Sequence, residues 1–249
     1  MTLTIVMPAY NEADGIQGFI TEIRRAFGPR NPKILVVNDA STDGTREVLV
    51  QLSNNDPLFG FIDREHNAGH GPSTIDALRR GLETDATSIL AVDGDGQFTG
   101  QDLVRAYDYF LASHVEVLEG VRKQRSDPLY RKLTSRLTQV LVWSRCGSVP
   151  QDANTPLRVY TRSALTRLLT SLPPDAPTPN LLISTLSRNL HLPLMEFGVT
   201  SIPRRGLRTQ GSTWGQSLQF LPSKRFVRFC FRAFRSWTTT PTRQWSDGR

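Results

Sequence analysis

The chain has 249 residues and two cysteines, which suits a single domain with a sizeable core and excludes a protein held together by disulfides. Its longest apolar stretch, around residues 140–143, falls far short of the roughly 20 residues that cross a membrane, and a strand begins at residue 3, so we expect neither a spanning helix nor a secretory signal. The net charge of +7 is accompanied by no helix-turn-helix, zinc or RNA-recognition pattern, so nucleic acid is not an expected partner.

The first predicted strand, residues 3–7, ends in a polar cluster. Its sequence, Leu-Thr-Ile-Val-Met, is followed by Pro-Ala-Tyr-Asn-Glu at residues 8–12. Apolar residues then recur at helical spacing: Ile16, Phe19, Ile20 and Ile23. The pattern predicts a buried strand, a polar turn and an amphipathic helix.

A second predicted strand, residues 33–37, has the same arrangement. It ends in Asn-Asp-Ala-Ser-Thr-Asp-Gly-Thr, residues 38–45, and a helix carrying Val48, Leu49 and Leu52 follows. Thr42 or Asp43 is the expected N-terminal cap of that helix, since both residue types accept hydrogen bonds from free backbone N–H groups.

The turn Asn-Ala-Gly-His-Gly-Pro-Ser, residues 67–73, leads into a predicted helix with Ile75, Leu78 and Leu82 on one face. A helix N-terminus preceded by glycine can hold a phosphate oxygen. His70 is therefore a candidate contact for a diphosphate, and the alternative is that it only starts the helix.

The third predicted strand, residues 89–92, stops at Asp93-Gly-Asp95-Gly-Gln97. Alternate residues of an extended chain point the same way, so these two carboxylates and the amide can converge. Such hard oxygen donors suit Mg²⁺ or Mn²⁺, which take further ligands from water and from a substrate phosphate. Ligands bind at the carboxyl ends of strands in open α/β sheets, so all three polar clusters are expected to share one crevice.

The three clusters, in this order, resemble the family 2 glycosyltransferases, whose pattern is P-x-Y-N-E, then V-V-D-D-G-S-x-D-G-T, then D-x-D. The resemblance covers roughly residues 3–206, and Gln97 points to the branch that is similar to dolichyl-phosphate mannosyltransferase, where D-x-D-x-Q binds metal. Asn38 and Ala40 depart from the pattern, which leaves open the nucleotide base that the second cluster reads.

The resemblance implies an α/β fold of the GT-A type, a Rossmann-like, mixed but mostly parallel sheet flanked by helices, over residues 1–206. It implies that Asp93, Asp95 and Gln97 bind the metal. It also implies a nucleotide-sugar donor held by residues at the three strand ends and by the turn before the third helix: Pro8, Tyr10, Glu12, Val37, Asp39, His70 and Asp93.

The same resemblance assigns several basic residues in the second half of the chain. Gly120, Arg122 and Arg131 follow a predicted strand at residues 115–119, and the family's G-x-R and its second arginine contact phosphate. Residues 152–160 resemble D-x-x-x-G-F-R-x-Y and begin with Asp152. Arg205 lies in a segment resembling P-x-x-x-x-x-R-x-x-G-x-S. Together with Asp95, these are the expected catalytic residues: Arg122, Arg131, Asp152 and Arg205.

Residues 207–249 form a basic C-terminal extension, and residues 201–249 as a whole carry 10 Lys and Arg against one acidic residue. A helix is predicted from a cap at Ser223 to about Trp237. One face is basic: Lys224, Arg225, Arg228, Arg232 and Arg235. The remaining arc is apolar: Phe226, Val227, Phe229, Cys230, Phe231, Phe234 and Trp237. This pattern favours an interfacial helix on an anionic membrane, and the alternative is docking on the protein's own core.

The expected function is therefore metal-dependent, inverting transfer of a sugar from a nucleotide-diphosphate donor, GDP-mannose or a UDP-hexose, to a polyprenyl phosphate. The expected location is cytoplasmic, peripheral at the inner face of the cell membrane. Two alternatives stay open. The acceptor can be a sugar hydroxyl, which requires a general base, with Asp152 the candidate. Otherwise the fold serves as a non-catalytic membrane-surface binder, although intact Asp93, Asp95 and Gln97 disfavour that.

Overall fold

The computed structural model describes residues 2–123, 129–206 and 224–239, and for residues 129–137, 224–230 and 233 it describes the backbone only. Within these ranges, strands and helices alternate along most of the chain. The strands are β1 (Leu3–Ala9), β2 (Lys33–Asn38), β3 (Phe59–Asp63), β4 (Ser88–Ala91), β5 (Val117–Lys123), β6 (Arg158–Thr161) and β7 (Leu194–Thr200). The helices are α1 (Ile16–Phe27), α2 (Thr45–Asn55), α3 (His70–Leu82), α4 (Gly100–Ser113), α5 (Leu129–Cys146), α6 (Arg162–Thr170), α7 (Pro179–Asn189) and α8 (Lys224–Thr239).

The described strands form one sheet in the order β3-β2-β1-β4-β6-β5-β7. Neighbours pair in parallel except around β6, which runs antiparallel to both β4 and β5. Helices cover both faces, so β1 reads as an uninterrupted buried run rather than an alternating one. This mixed, mostly parallel sheet is the predicted architecture.

The apolar core consists of two clusters, one on each face of the sheet. The periodic apolar residues of α1 are buried in the first, as the helical spacing predicts. In the second, Ile75 and Leu78 of α3 pack beside Val37. The predicted cap of α2 differs slightly, because the helix starts at Thr45 with Gly44 at its N-cap, and Asp43 accepts a hydrogen bond from the Thr45 N–H (3.0 Å).

The antiparallel strand β6 brings the second half of the chain to the same edge as the first. Its register pairs Arg158 with Ala91 of β4 on one side and with Glu119 of β5 on the other. The start of β6 therefore lies where the parallel strands end. As a result, the loop before β6 and the ends of β1, β2, β4 and β5 share one edge of the sheet.

Helix α8 ends with a buried tryptophan. Trp237 is 3% exposed and joins the second core cluster, where the Arg145 guanidinium lies 4.8 Å from its ring centroid. Phe231 and Phe234 on the same helix are 69% and 55% exposed. Ser223, the predicted cap, lies outside the described residues. No helix in the described ranges is both long and apolar enough to span a bilayer.

Candidate active site

The turn after β4 carries the two predicted metal-binding carboxylates and is bonded to β1. The Gly94 N–H donates to the carbonyl oxygen of Pro8 (3.1 Å), and a Cβ on Gly94 would lie 2.8 Å from that oxygen. Only glycine therefore allows this close approach of the turn to the strand. Asp95 accepts a hydrogen bond from the Gln97 N–H (3.1 Å), which fixes the turn between them.

Two further groups lie at this turn. The His70 Nε2 atom, at the start of α3, is 3.7 Å from the Asp93 Oδ1 atom. Glu12, which follows β1, is buried and holds Arg204, whose Nε donates to the Glu12 Oε2 atom (3.2 Å). The ends of β1 and β4 and the start of α3 thus converge, as the order of the sequence clusters predicts.

The electrostatics of the turn favour a cation. Burial and, after it, the nearby Asp93 charge raise the pKa of Asp95 to about 6. Burial also raises the pKa of Glu12 to about 7, although Arg204 opposes that shift. Carboxylates that crowd each other at a buried position become more stable as anions when a positive ion lies between them. The residues present therefore fit a divalent metal.

The turn does not form a complete metal cage. In the ranges that the structure describes, no three side chains drawn from Asp, Glu, His and Cys lie close enough together to hold a metal ion. Asp93, Asp95 and Gln97 can thus supply part of a coordination sphere. The rest is left to water and to a bound phosphate, which is how Mg²⁺ and Mn²⁺ sites of this kind are usually completed.

The raised pKa values predict a pH-dependent effect of metal on stability. Asp95 and Glu12 bind protons more tightly in the folded state, so their contribution to stability falls as pH rises from about 4 to about 7. A metal ion needs the ionised carboxylates, so Mn²⁺ is expected to raise the melting temperature more at about pH 8 than at about pH 5.5. Thermal unfolding with and without Mn²⁺ measures this. A pH-independent gain, or the same gain in Asp95→Asn, contradicts it.

The residue that follows β2, Asp39, is fixed by hydrogen bonds from backbone N–H groups. Both Asp39 carboxylate oxygens accept N–H groups, one from Ala68 and one from Gly69, each at 2.9 Å. The Val37 side chain is fully buried in the core, and its contact with a nucleotide sugar stays a prediction. Its register partner Pro8 is also buried, whereas Tyr10 is half-buried beyond the strand end. Asp39 therefore shapes the loop that precedes His70.

Arg122 and Asp152 form a two-bond ion pair at the same edge of the sheet. The Arg122 Nε and Nη2 atoms donate to the two Asp152 oxygens at 2.6 and 2.9 Å. Nη2 also donates to the Asn154 carbonyl oxygen (3.2 Å). The structure thus brings together two predicted catalytic residues, one from the end of β5 and one from the loop before β6. Arg131 belongs to α5, and its side chain lies outside the described residues.

Residues 202–206, hereafter the strap, follow β7 and run across the Asp93–Gln97 turn. The Ile202 and Arg205 N–H groups donate to the carbonyl oxygens of Gln97 (2.9 Å) and Asp95 (3.0 Å). The Arg205 side chain pairs with Glu22 at 2.5 Å and donates to the Gly96 carbonyl oxygen at 3.0 Å. The Arg205 guanidinium thus fastens the strap to α1 and to the turn, and its catalytic role stays a prediction.

Arg204 is the cation that sequence reasoning missed. Its guanidinium reaches Glu12 and lowers the pKa of Asp95 through its charge, so it acts on the carboxylates of the turn. The signal in the sequence was the pair of adjacent arginines at 204 and 205. The two side chains have different partners, since Arg204 pairs with Glu12 whereas Arg205 pairs with Glu22.

Solved structures with the same architecture are sugar transferases. Glucosyl-3-phosphoglycerate synthase from Mycobacterium tuberculosis, in complex with Mn²⁺, UDP-glucose and phosphoglyceric acid, matches with a TM-score of 0.63 at 18% identity over 95% of this chain and 80% of that one. A mannosyltransferase from Pyrobaculum calidifontis, in complex with GDP-mannose and Mn²⁺, matches with a TM-score of 0.57 at 20% identity, covering 82% and 58%. The fold is therefore of the GT-A glycosyltransferase type, as predicted.

The chain belongs to glycosyl transferase family 2, whose model matches residues 4–169. The prediction of a family 2 member is thus confirmed. A relative is the undecaprenyl-phosphate 4-deoxy-4-formamido-L-arabinose transferase of Pectobacterium carotovorum subsp. carotovorum (strain PC1), 26% identical over 170 residues, which are 67% of this chain and 51% of that protein. The Yersinia pestis (strain Pestoides F) protein of the same description matches to the same extent. The chain spans about half the length of these curated relatives.

Proposed function

We propose that this protein is a metal-dependent, inverting glycosyltransferase that moves a sugar from a nucleotide-diphosphate donor to a polyprenyl phosphate at a membrane surface. The observation that carries the proposal is that the Asp93–Gln97 turn, where the pKa of Asp95 is raised, and the Arg122–Asp152 pair lie at the same edge of the sheet. Relatives described as undecaprenyl-phosphate sugar transferases support the acceptor class.

On the donor side, Asp93, Asp95 and Gln97 would hold a Mg²⁺ or Mn²⁺ ion against the diphosphate. When bound, that ion supplies Lewis-acid neutralisation of the leaving diphosphate. Arg204 contributes fixed positive charge at the same turn, and His70 lies on its other side, at the start of α3. Fixed charges of this kind stabilise developing negative charge without reorganisation at the moment of reaction.

On the acceptor side, the ion pair favours an acceptor that is already an anion. Both oxygens of Asp152 are engaged by Arg122, so Asp152 is poorly placed to remove a proton. A polyprenyl phosphate oxygen is ionised near neutral pH and needs no such base. Arg122 can direct it towards the anomeric carbon on the side opposite the diphosphate, which inverts the configuration. Transfer to a sugar hydroxyl remains the second candidate, and it requires Asp152 to leave the pair.

The membrane part of the proposal rests on α8. Exposed Phe231 and Phe234 lie beside exposed Arg232 and Arg235, whereas Trp237 is packed into the core. Each of the two alternatives for this helix, membrane binding and docking on the core, therefore fits some of its described side chains. Aromatic side chains next to cations suit the headgroup region of an anionic bilayer. We place the reaction at the cytoplasmic face, because a charged nucleotide sugar does not cross a bilayer unaided.

The double variant Phe231→Ser/Phe234→Ser tests this helix. It is expected to bind anionic vesicles at least about tenfold more weakly, because burying each phenylalanine contributes about 1.5–3 kcal/mol. Its melting temperature should not change, since both rings are exposed in the folded protein. Vesicle sedimentation over a salt series measures binding, and Trp237→Ala serves as the comparison that loosens α8 from α5. Unchanged sedimentation of the double variant contradicts the membrane role.

The function itself is tested by incubating the protein with radiolabelled GDP-mannose or a UDP-hexose, Mn²⁺ and undecaprenyl phosphate. Undecaprenol, which lacks only the phosphate, is the matched control. Label is expected in the lipid phase with the phosphate and not with the alcohol. Transfer to the alcohol or to a glycan hydroxyl supports the second candidate. No transfer from any donor, with donor binding also absent, argues for the non-catalytic alternative.

A further inference from the structure

A buried charge cluster lies directly beneath the acceptor side of the site. Arg158 is 0% exposed and its Nη1 atom donates to Glu119 (2.6 Å), which is itself 1% exposed. Glu119 also accepts hydrogen bonds from Arg188 (2.8 Å) and from the Ser184 hydroxyl (3.3 Å). None of these groups takes part in the reaction described above. Taking charges out of water is costly unless they are fully paired, so their presence calls for a role that an apolar residue would not fill.

The remaining donors of Arg158 identify that role. Its Nε donates to the Thr155 carbonyl oxygen (3.2 Å), and its Nη2 donates to the carbonyl oxygens of Ala153 (3.1 Å) and Asn180 (2.9 Å). Two of these acceptors belong to the loop of residues 152–155, and the third lies in the first turn of α7. One planar guanidinium thus ties the loop before β6 to the start of α7 and to β5.

The loop that Arg158 holds carries the acceptor-side ion pair. Asp152 is its first residue, and the Arg122 Nη2 atom donates both to Asp152 and to the Asn154 carbonyl oxygen. Arg158 and Arg122 therefore bond alternate residues of the same loop. We propose that Arg158 is a positioning residue of the transferase, which sets the place of the Arg122–Asp152 pair by fixing the carbonyl groups of residues 153 and 155.

A lysine cannot replace this arrangement. Its single ammonium group is able to pair with Glu119, but it cannot span three carbonyl groups and a carboxylate in the fixed fork of a guanidinium. Arg158→Lys thus keeps the buried charge and releases the loop. A displacement of catalytic groups by about 1 Å can lower the rate about 10²-fold, so kcat is expected to fall by about that factor. The donor KM should stay within about threefold, because the donor residues lie on other elements.

A matched control residue, Arg162, lies directly after the other end of β6. Arg162 also donates to three carbonyl oxygens, those of Leu82, Thr84 and Ala86, but in the loop before β4 at the opposite edge of the sheet. Arg162→Lys is expected to lower the melting temperature and to leave kcat within about threefold of wild type. Equal losses of kcat in the two lysine variants would overturn the proposal, since they would show a general effect of stability.

Glu119→Gln separates positioning from buried charge. It removes the ion pairs of Glu119 with Arg158 and Arg188 but leaves the three carbonyl bonds of Arg158, so stability should fall while kcat stays within about threefold of wild type. A loss of kcat in Glu119→Gln as large as that in Arg158→Lys, with amide exchange in residues 152–157 unchanged, would overturn the proposal.

The inference rests on the proposed function, and hydrogen exchange makes the two distinguishable. Arg158→Lys is expected to speed amide exchange in residues 152–157 and in the first turn of α7, while Arg162→Lys speeds it only around residues 82–88. If the wild-type protein transfers no sugar, the proposed function fails, and the exchange pattern still decides whether Arg158 holds the loop. Unchanged exchange at residues 152–157 in Arg158→Lys would overturn the positioning role whatever the activity.

Discussion

Asp95→Ala is expected to abolish sugar transfer while the domain stays folded. Asp95 lies in the turn after β4, where its carboxylate and that of Asp93 would hold the metal that neutralises the leaving diphosphate. Removing one preorganised stabilising group costs about 10²–10³ in kcat, and loss of the metal as well should bring the total to at least about 10³. Product formation with saturating donor, acceptor and Mn²⁺ measures the effect.

The folding of that variant can be checked on the same sample. Because burial and the Asp93 charge disfavour the ionised Asp95 side chain, its removal should not lower the melting temperature at about pH 8 without metal. Asp108→Ala is the matched control, since Asp108 is an exposed partner of Arg30 far from the turn, and it should retain full activity. Turnover of Asp95→Ala close to wild type, or full wild-type activity in excess EDTA, would exclude the metal mechanism.

Arg122→Ala is expected to lower kcat by about 10²–10³, because the acceptor side loses the guanidinium that orients the incoming phosphate. The kcat of Arg122→Lys should lie between those of Arg122→Ala and the wild type, since an ammonium keeps the charge but not the two parallel bonds to Asp152. Arg167→Ala, which removes an exposed arginine near Glu116, is the control. Steady-state kinetics with undecaprenyl phosphate as the varied substrate give the comparison. A loss below about threefold contradicts a role for Arg122 in the reaction.

Asp152→Asn, made beside Arg122→Ala, distinguishes the two acceptor classes. With an ionised phosphate acceptor the amide keeps one oxygen towards Arg122, and the loss should be at most about tenfold. Loss of a true general base costs about 10²–10⁴. A thousandfold loss with unchanged donor binding would therefore favour a hydroxyl acceptor.

Much of the proposed donor site can be predicted from the sequence alone, because the strands that lead to it are buried. The strands before Asp39 and Asp93 are largely buried between the two helical layers, so their sequences are apolar runs that stop where the strands end. Their polar endings then mark the binding edge of the sheet. The spacing between Asp93 and Gln97 similarly reflects a local turn, whose geometry depends on few distant residues.

The acceptor half depends on contacts between distant residues, which local patterns do not encode. Strand β6 has only four residues, and nothing in its sequence indicates that it inserts antiparallel between β4 and β5. The buried pair of Arg158 and Glu119 joins residues 39 positions apart. Helix α8 shows the same limit, because periodicity predicts its apolar arc but not that Trp237 enters the core while Phe231 and Phe234 stay exposed. Sequence also gave no means of choosing Arg204 over Arg205.

The strap has a thermodynamic consequence for the whole protein. Through the Ile202 and Arg205 N–H groups, the last described segment of the GT-A domain is hydrogen-bonded to the carbonyl groups of the turn that would hold the metal. The predicted basic extension begins at residue 207, so its point of attachment lies next to residues that are hydrogen-bonded to the proposed metal-binding turn. Coupling between two binding events is reciprocal. If seating the extension on a bilayer shifts the strap, it changes donor affinity by the same factor by which bound donor changes bilayer affinity, and the membrane then acts as an effector of the site as well as a source of acceptor.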